Sequence, residues 1–334
     1  MGAARWAGLA LTGLCGAAAL WWGWLVLEAR ADLARWQAAR RDAGWQADWA
    51  GPEVSGFPAR LVRRIEDVAL ADPATGWAWR GPWVEIAAPV TARRRLTVTL
   101  PASQVFATPR QRVDIAAGSV ALDLALGPGA LAPLAGATMR ARAVGLISET
   151  GWRMDAARIA ANFAPQGATG GALTLSATDL RPPARIFDLL AGDGRLPARI
   201  ARVSADLTVR FDRPWDSRAL DTERPRPVAL DLRDSHLTWG RLELRAAGAL
   251  TLGPTGRAEG DLLVKATNWR EMLALGVDSG LVPRRIAGAV EAALELVSGL
   301  AGSPRTLDIP VRFRDGRSLI GPVPMGRAPR LQLP

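Results

Sequence analysis

His236 is the only histidine in the chain. It follows Asp234 and Ser235, so the three residue types of a nucleophilic triad stand side by side. Adjacent residues of an extended strand point to opposite faces, which keeps Ser235 from meeting His236. No Gly-x-Ser-x-Gly turn occurs to present a nucleophile. The triplet reads as a polar strand end. One histidine cannot build a two-histidine metal site within one chain. The single cysteine, Cys15, lies inside an apolar run. That excludes a disulfide, and it excludes a thiolate nucleophile or a cysteine-ligated zinc outside that run.

A second group has more chemical promise. Asp212 and Asp216 flank Arg213-Pro214-Trp215, and Asp221 and Glu223 follow. Paired carboxylates hydrolyse glycans by acid–base work or hold a hard cation. Here arginines stand between the acids, and the default reading is a solvated loop over 212–227, also a candidate boundary between two lobes. Gly127-Pro128-Gly129 with Ala132 loosely matches a dinucleotide fingerprint, but Pro133 and Gly136 spoil the helix that must receive the pyrophosphate. Lys265 follows Val264, not glycine, so no phosphate-binding P-loop exists. No cofactor and no metal site is expected.

The elements around these residues carry more information. From Trp6 to Leu27 no charge interrupts the chain. Such a run makes about 33 Å of helix, enough for a hydrocarbon core of roughly 30 Å. It is longer than a signal-peptide core and lacks an Ala-x-Ala-like site just after it. Trp21, Trp22 and Trp24 sit near its far end, where an aromatic belt rests at a membrane interface. The run therefore reads as an uncleaved transmembrane helix over 6–27, after a short tail over 1–5. The count of arginines on either side does not choose an orientation; an extracytoplasmic body is preferred. Residues 28–50 continue as a charged juxtamembrane helix, its aromatic side made by Trp36, Trp45 and Trp49, until Gly51 and Pro52 end it.

Residues 51–334 read as the β-rich domain. Period-two alternation dominates, as in Leu96/Val98/Leu100, Val120 to Leu126, Val203 to Phe211, Val228/Leu230/Leu232, Leu242/Leu244/Ala246 and Leu307 to Phe313. Strands of this kind bury one face and wet the other. Turn signals at Gly127-Pro128-Gly129, Gly170-Gly171, Gly253 to Gly256 and Asp315-Gly316 favour an antiparallel meander over a βαβ series. Helices are expected at 183–191 (Ile186, Leu189, Leu190), after a capping box of Asn268 and Glu271, and over 284–300, where Ile286, Val290, Ala293, Leu294 and Val297 keep helical spacing. Trp77, Trp79 and Trp83 form the densest aromatic cluster. They serve either packing where the anchor helix docks or a rim that meets lipid.

Forty-two basic residues give a formal charge of +10. They are almost all arginine and alternate with apolar residues along strands, as on a solvated sheet face. No nucleic-acid-binding motif accompanies them, and no nucleic-acid partner is expected.

Several pieces together resemble the family called domain of unknown function 2125, found in bacterial envelope proteins. They are the N-terminal helix, Gly56-Phe57-Pro58 with Leu61, Leu70-Ala71-Asp72-Pro73 with Gly76-Trp77, and the closing Asp315-Gly316 and Gly321-Pro322-Val323-Pro324-Met325-Gly326-Arg327-Ala328-Pro329. The resemblance implies a membrane-anchored periplasmic protein rich in β structure, and it brings no catalytic residues. More distantly, Ala247 to Leu252 with Gly256 and Gly260 to Val264 are similar to hairpins of AsmA-like proteins. That likeness implies apolar strand faces lining a lipid groove.

The expected architecture is mainly β with a few helices (α+β), a large antiparallel, curved sheet or open sandwich behind one transmembrane helix. The expected role is non-enzymatic: a single-pass inner-membrane protein with its bulk in the periplasm, binding or guiding lipid or scaffolding envelope assembly. Its partners are then the bilayer, with Trp21, Trp22, Trp24, Trp77, Trp79 and Trp83 as lipid contacts, and a lipid ligand or envelope protein. The alternative is a hydrolase of an envelope glycan using Asp212 and Asp216.

Overall fold

The computed structural model describes residues 2–184, 187–188, 196–220, 224–278, 282, 284–300, 305–320 and 323–331, with side chains in the first helix from residue 18 onward. Most of the expected helix over 183–191, including Ile186, Leu189 and Leu190, lies outside them, as do Asp221 and Glu223.

The described chain builds one antiparallel sheet of 18 strands. After helix α1 (Gly2–Asp42) come short β1 (Gln46–Asp48) and β2 (Glu53–Ser55), then long β3 (Arg60–Asp72) and β4 (Trp77–Pro89). β5 (Arg95–Leu100), β6 (Ser103–Thr108), β7 (Gln111–Ala116) and β8 (Ser119–Leu126) follow. They act as one long hairpin with a break in each arm, because β5 pairs with β8 and β6 with β7. From β9 (Leu134–Ser148) the strands run as a plain meander: β10 (Arg153–Gln166), β11 (Gly170–Leu180), β12 (Ile200–Phe211), β13 (Pro227–Trp239), β14 (Leu242–Leu252), β15 (Ala258–Thr267) and β16 (Thr306–Arg314). β17 (Arg317–Ile320) and β18 (Val323–Arg327) close one edge, and β1 and β2 share the other, both pairing with β3. Helices α2 (Trp269–Asp278) and α3 (Arg284–Leu300) lie between β15 and β16. β12 and β13, on either side of the 212–227 loop, pair along their length.

Residues paired across strands share a face, so the registers sort the side chains into rows. One row reads Leu100, Val120, Ala141, Ile159, Ala177, Val203, Leu237, Leu244, Ala266, Leu307. All ten are apolar. The next row on that face runs from Val98 through Leu122, Met139, Ala161, Leu175 and Ala205 to Val264 and Ile309, with only Ser235 polar. The opposite face carries rows such as Thr97, Asp123, Thr138, Asn162, Thr174, Asp206. There Thr97 donates to Asp123 and Thr138 to Asn162, each at 2.8 Å. The alternation in the sequence thus resolves into one apolar and one polar face of a single sheet.

Single residues in the left-handed region interrupt three long strands: Asp67 in β3 (φ 52°), Ala143 in β9 (φ 49°) and Asp179 in β11 (φ 51°). Across each, the apolar side changes parity, from Ile65 to Val68, Ala141 to Val144 and Ala177 to Leu180. In β13 a bulge near Arg233-Asp234 does the same, carrying the pattern from Leu230 and Leu232 to Leu237 and Trp239. An extra residue re-aims the strand and increases its twist. Twist of about 20–25° per strand accumulates to roughly 140–175° over the seven steps from β3 to β12.

That rotation brings distant ends together. Arg224 Nη2 donates to Asp72 Oδ2 at 2.7 Å across 152 positions of sequence. Its guanidinium also stands over the Trp45 ring, and Pro225 beside it is fully buried. Residues 212–220 and 224–226 therefore act as a strap fastening the β12–β13 end to the β3–β4 turn. Burial raises the Asp72 pKa, but hydrogen bonds from Thr75, the Ala74 amide and Arg224 outweigh it and hold the carboxyl below its ordinary value.

α1 ends earlier than the sequence reading placed it. The juxtamembrane helix expected over 28–50 stops at Asp42, because Gly44 takes φ 84° and the Trp45 and Gly44 amides donate to Arg40 and Arg41 carbonyls. This is the glycine-terminated cap that closes many helices. Trp45 then leads into β1. Leu25 and Ala29 are buried on the inner side of α1, and Trp36 stacks on Trp49 at 5.7 Å. Among the described residues no helix is long and apolar enough to cross a membrane.

The capping box expected at α2 does not form. Asn268 sits at φ 62° and its side-chain amide donates to the Arg241 carbonyl. Glu271 faces Arg241 at 4.0 Å rather than the Asn268 amide. α3 spans the expected residues, and its Leu294 packs with Trp269, Met272 and Leu273 over Ala266 and Leu307.

Candidate functional site

The apolar face is covered at two places. α2 and α3 bury its β14–β16 corner, where Ala266, Leu307 and Trp269 are 1–2% exposed. α1 lies by the β3–β4 side, where the Arg63 guanidinium pKa is lowered by burial, against the opposing charges of Asp32 and Glu28. Between these covers most row members are half-buried, Ala141 is buried, and Leu175 is 39% exposed. This sheet is not a sandwich with a closed core. Single exposed leucines are ordinary, but a continuous apolar face is not.

A large, mostly apolar cavity lies at one end of that face. It has a volume of about 630 Å³ and is bounded by the β8–β9 turn, the β10–β11 turn and the start of the strap. Phe163, Phe211 and Trp215 make its wall in edge-to-face order, with centroids 6.2 and 5.6 Å apart. Leu131 and Leu134 face them. The strap is stitched to the turn by the Leu134 amide on the Trp215 carbonyl at 2.8 Å and the Ser217 amide on the Leu131 carbonyl at 2.9 Å. A pocket of this size, apolar with a charged rim, suits a hydrophobic ligand. Gly171 matters here: a Cβ at this position would stand 2.4 Å from the Phe163 ring.

The rim holds the carboxylates singled out by sequence. Asp216 accepts three hydrogen bonds from the Arg218 guanidinium and one from its amide, and these hold its pKa below the ordinary value. Asp212 accepts from the Arg226 amide at 2.8 Å and lies 3.5 Å from Arg213. Each acid is committed to its own arginine. A general acid needs the opposite shift, a raised pKa. His236 and Ser235 are on opposite faces: Ser235 lies in the apolar row, while His236 contacts Glu243 at 3.0 Å and Thr238 at 3.2 Å. Among the described residues no three His, Cys, Asp or Glu side chains gather to hold a metal.

The tryptophans divide into two groups. Trp22 meets Phe57 edge to face at 5.4 Å, but Trp21 and Trp24 are 46% and 55% exposed, with Leu20 and Leu27 also exposed on the same helix. Trp77, Trp79 and Trp83 are half-buried. Trp77 packs on Phe106 at 4.9 Å, Trp79 donates to buried Gln104 at 3.0 Å, and Arg64 stands over Trp83 at 4.5 Å. Sequence reasoning did not find the Phe163–Phe211–Trp215 wall. Its members lie on β10, β12 and the strap, and only the fold brings them together.

The family model described as uncharacterised protein conserved in bacteria (DUF2125) matches residues 22–329, and the chain belongs to that family. No curated protein and no solved structure matches it.

Proposed function

We propose, from membership of this uncharacterised family and from the geometry above, that the protein binds lipid along its apolar sheet face. The observation that carries this reading is the continuity of apolar rows from β5 to β16, whose stretch at Met139, Ala161, Leu175 and Ala205 is left half-buried or exposed among the described residues. The cavity at Phe163, Phe211 and Trp215 receives the end of an acyl chain. In this reading the uncharged run over 6–27, most of whose side chains lie outside the described residues, anchors the protein in the inner membrane, the exposed Leu20, Trp21, Trp24 and Leu27 meet the bilayer interface, and the sheet stands in the periplasm. The likeness of residues 247–264 to AsmA-like hairpins agrees with this role, since those are thought to move lipid along curved sheets.

The role is non-catalytic in this reading. The downward pKa shift of Asp216 and the arginines on both acids favour it over the glycan hydrolase. Native mass spectrometry of the full chain extracted from membranes in mild detergent tests it. Lipid should co-purify with the wild type and be lost from Leu175→Glu and Phe211→Glu. Lipid-free wild-type protein, or glycan cleavage that depends on Asp216, would overturn the proposal.

A further inference from the structure

The polar face of the sheet holds a row unlike its neighbours. Arg142 of β9 pairs directly with Arg158 of β10, Arg158 with Thr178 of β11, and Thr178 with Arg202 of β12. Three guanidinium side chains thus stand on one face at one register, within four adjacent strands. Directly opposed residues have Cβ atoms about 4.5–5.5 Å apart, and like charges so placed repel. Elsewhere on this face some arginines are answered by acids, as Arg140 by Asp123 and Arg233 by Asp206. Among the described residues Arg142, Arg158 and Arg202 have no ion pair and no side-chain hydrogen bond, and all three are exposed.

The neighbouring acids are committed elsewhere. Asp155 is held by Arg199 at 2.6 Å and Arg181 at 3.7 Å. Glu243 is held by His236 at 3.0 Å and Arg245 at 3.1 Å. Asp179, next to Thr178, forms no ion pair with the three arginines. In the gap between Arg158 and Arg202, the Thr178 hydroxyl oxygen is buried and has no hydrogen-bond partner. A buried hydroxyl without a partner is uncommon and calls for one. The next row of the same face offers only Ala160, Ser176 and Ser204 across β10 to β12, small residues that leave the space above the guanidiniums open.

We infer that Arg142, Arg158, Thr178 and Arg202 form a binding site for a phosphate-type anion. Guanidinium forks match tetrahedral oxyanions bidentately, and the threonine hydroxyl supplies a further donor between them. Bound anion relieves the repulsion that the register imposes. The site lies on the face opposite the apolar rows, so it stands or falls apart from the lipid reading. Its ligand is inorganic phosphate or the phosphate headgroup of a lipid.

Titration calorimetry on the full chain in neutral detergent decides this, with sodium phosphate compared against sodium chloride at equal ionic strength. Phosphate should bind saturably. Arg158→Gln and Arg202→Gln should each weaken it by about tenfold or more, and Arg158→Lys should weaken it less than Arg158→Gln because charge is kept while the fork is lost. Thr178→Val should weaken it without changing net charge. Far-UV circular dichroism verifies the fold of each variant. Soluble short-chain phosphatidylglycerol, with phosphatidylcholine of the same chains as control, separates the sources. Arginine-dependent binding of the anionic lipid assigns a headgroup site, and binding of inorganic phosphate alone assigns a free-anion site. Phosphate affinity unchanged by Arg158→Gln and Arg202→Gln, or matched by chloride, overturns the inference.

Discussion

The β14–β16 corner and the β9–β12 span are made of the same kind of strand, yet they end in different states. In the corner Leu244, Ala266 and Leu307 continue the apolar row under Trp269, Leu273 and Leu294, and water is excluded. In the span Met139, Ala161, Leu175 and Ala205 continue an equally apolar row that stays half-buried or exposed among the described residues. Alternation specifies that a face is apolar; it does not specify what covers it. The corner shows what the chain does when it means to close a face: it inserts helices between β15 and β16. The span has strand turns of only a few residues between β9, β10 and β11, too short to return over the sheet. From β9 to β11 the openness is a property of connection lengths; the longer β11–β12 connection does return to the face, where Phe187 and Leu196 pack with Val203 and Leu237.

The comparison makes graded predictions. Trp269→Ala removes the centre of the covered corner and should cost about 3–5 kcal/mol in a denaturant titration. If it costs no more than a substitution on the open face, the distinction between the two regions fails. Asp72→Asn unfastens the strap, and losing a charge-assisted hydrogen bond in a nearly buried place should cost about 1–3 kcal/mol. The pH dependence has a fixed sign. The folded-state pKa of Asp72 is depressed, so its contribution is present above the ordinary aspartate range and disappears as pH falls through the depressed value. Wild type should lose stability on acidification in that window by more than Asp72→Asn does. Leu175→Ala, on the open face, should cost only about 1 kcal/mol, since much of its side chain is wet already. Ala143→Gly should raise stability by several tenths of a kcal/mol. It relieves an L-residue held at φ 49°, against the greater chain entropy of glycine when unfolded. A loss instead would mean that the Ala143 methyl contributes packing that outweighs the backbone strain.

The strands were legible because the period of two is local and each run was long. β5, β8, β12, β13, β14 and β16 all fall on alternations visible in the residues. Two local signals went unread. Gly44 carries the helix stop, yet the run of charged helix formers masked it and extended the helix to 50. The parity changes at Asp67, Ala143 and Asp179 are written in the apolar pattern itself, as steps of three where two is the rule. They look like noise until the left-handed residues explain them. The Phe163–Phe211–Trp215 wall and the Arg224–Asp72 bond were not legible at all. Both depend on twist summed over many strands, which no window of sequence contains. The arginine row is intermediate: each member sits in a recognisable strand, but only the register reveals that they coincide.

The edges of the sheet carry a last consequence. A ladder this broad is a natural template for its own copies, and an unblunted border would seed cross-β stacking. Here one border is split between the three-residue strands β1 and β2, and the other tapers through four residues of β17 and five of β18, which contains Pro324. An incoming strand meets a few amides and then a gap, so polymerisation finds no continuous hold. The short borders let the chain keep a wide sheet in isolation without becoming a fibril.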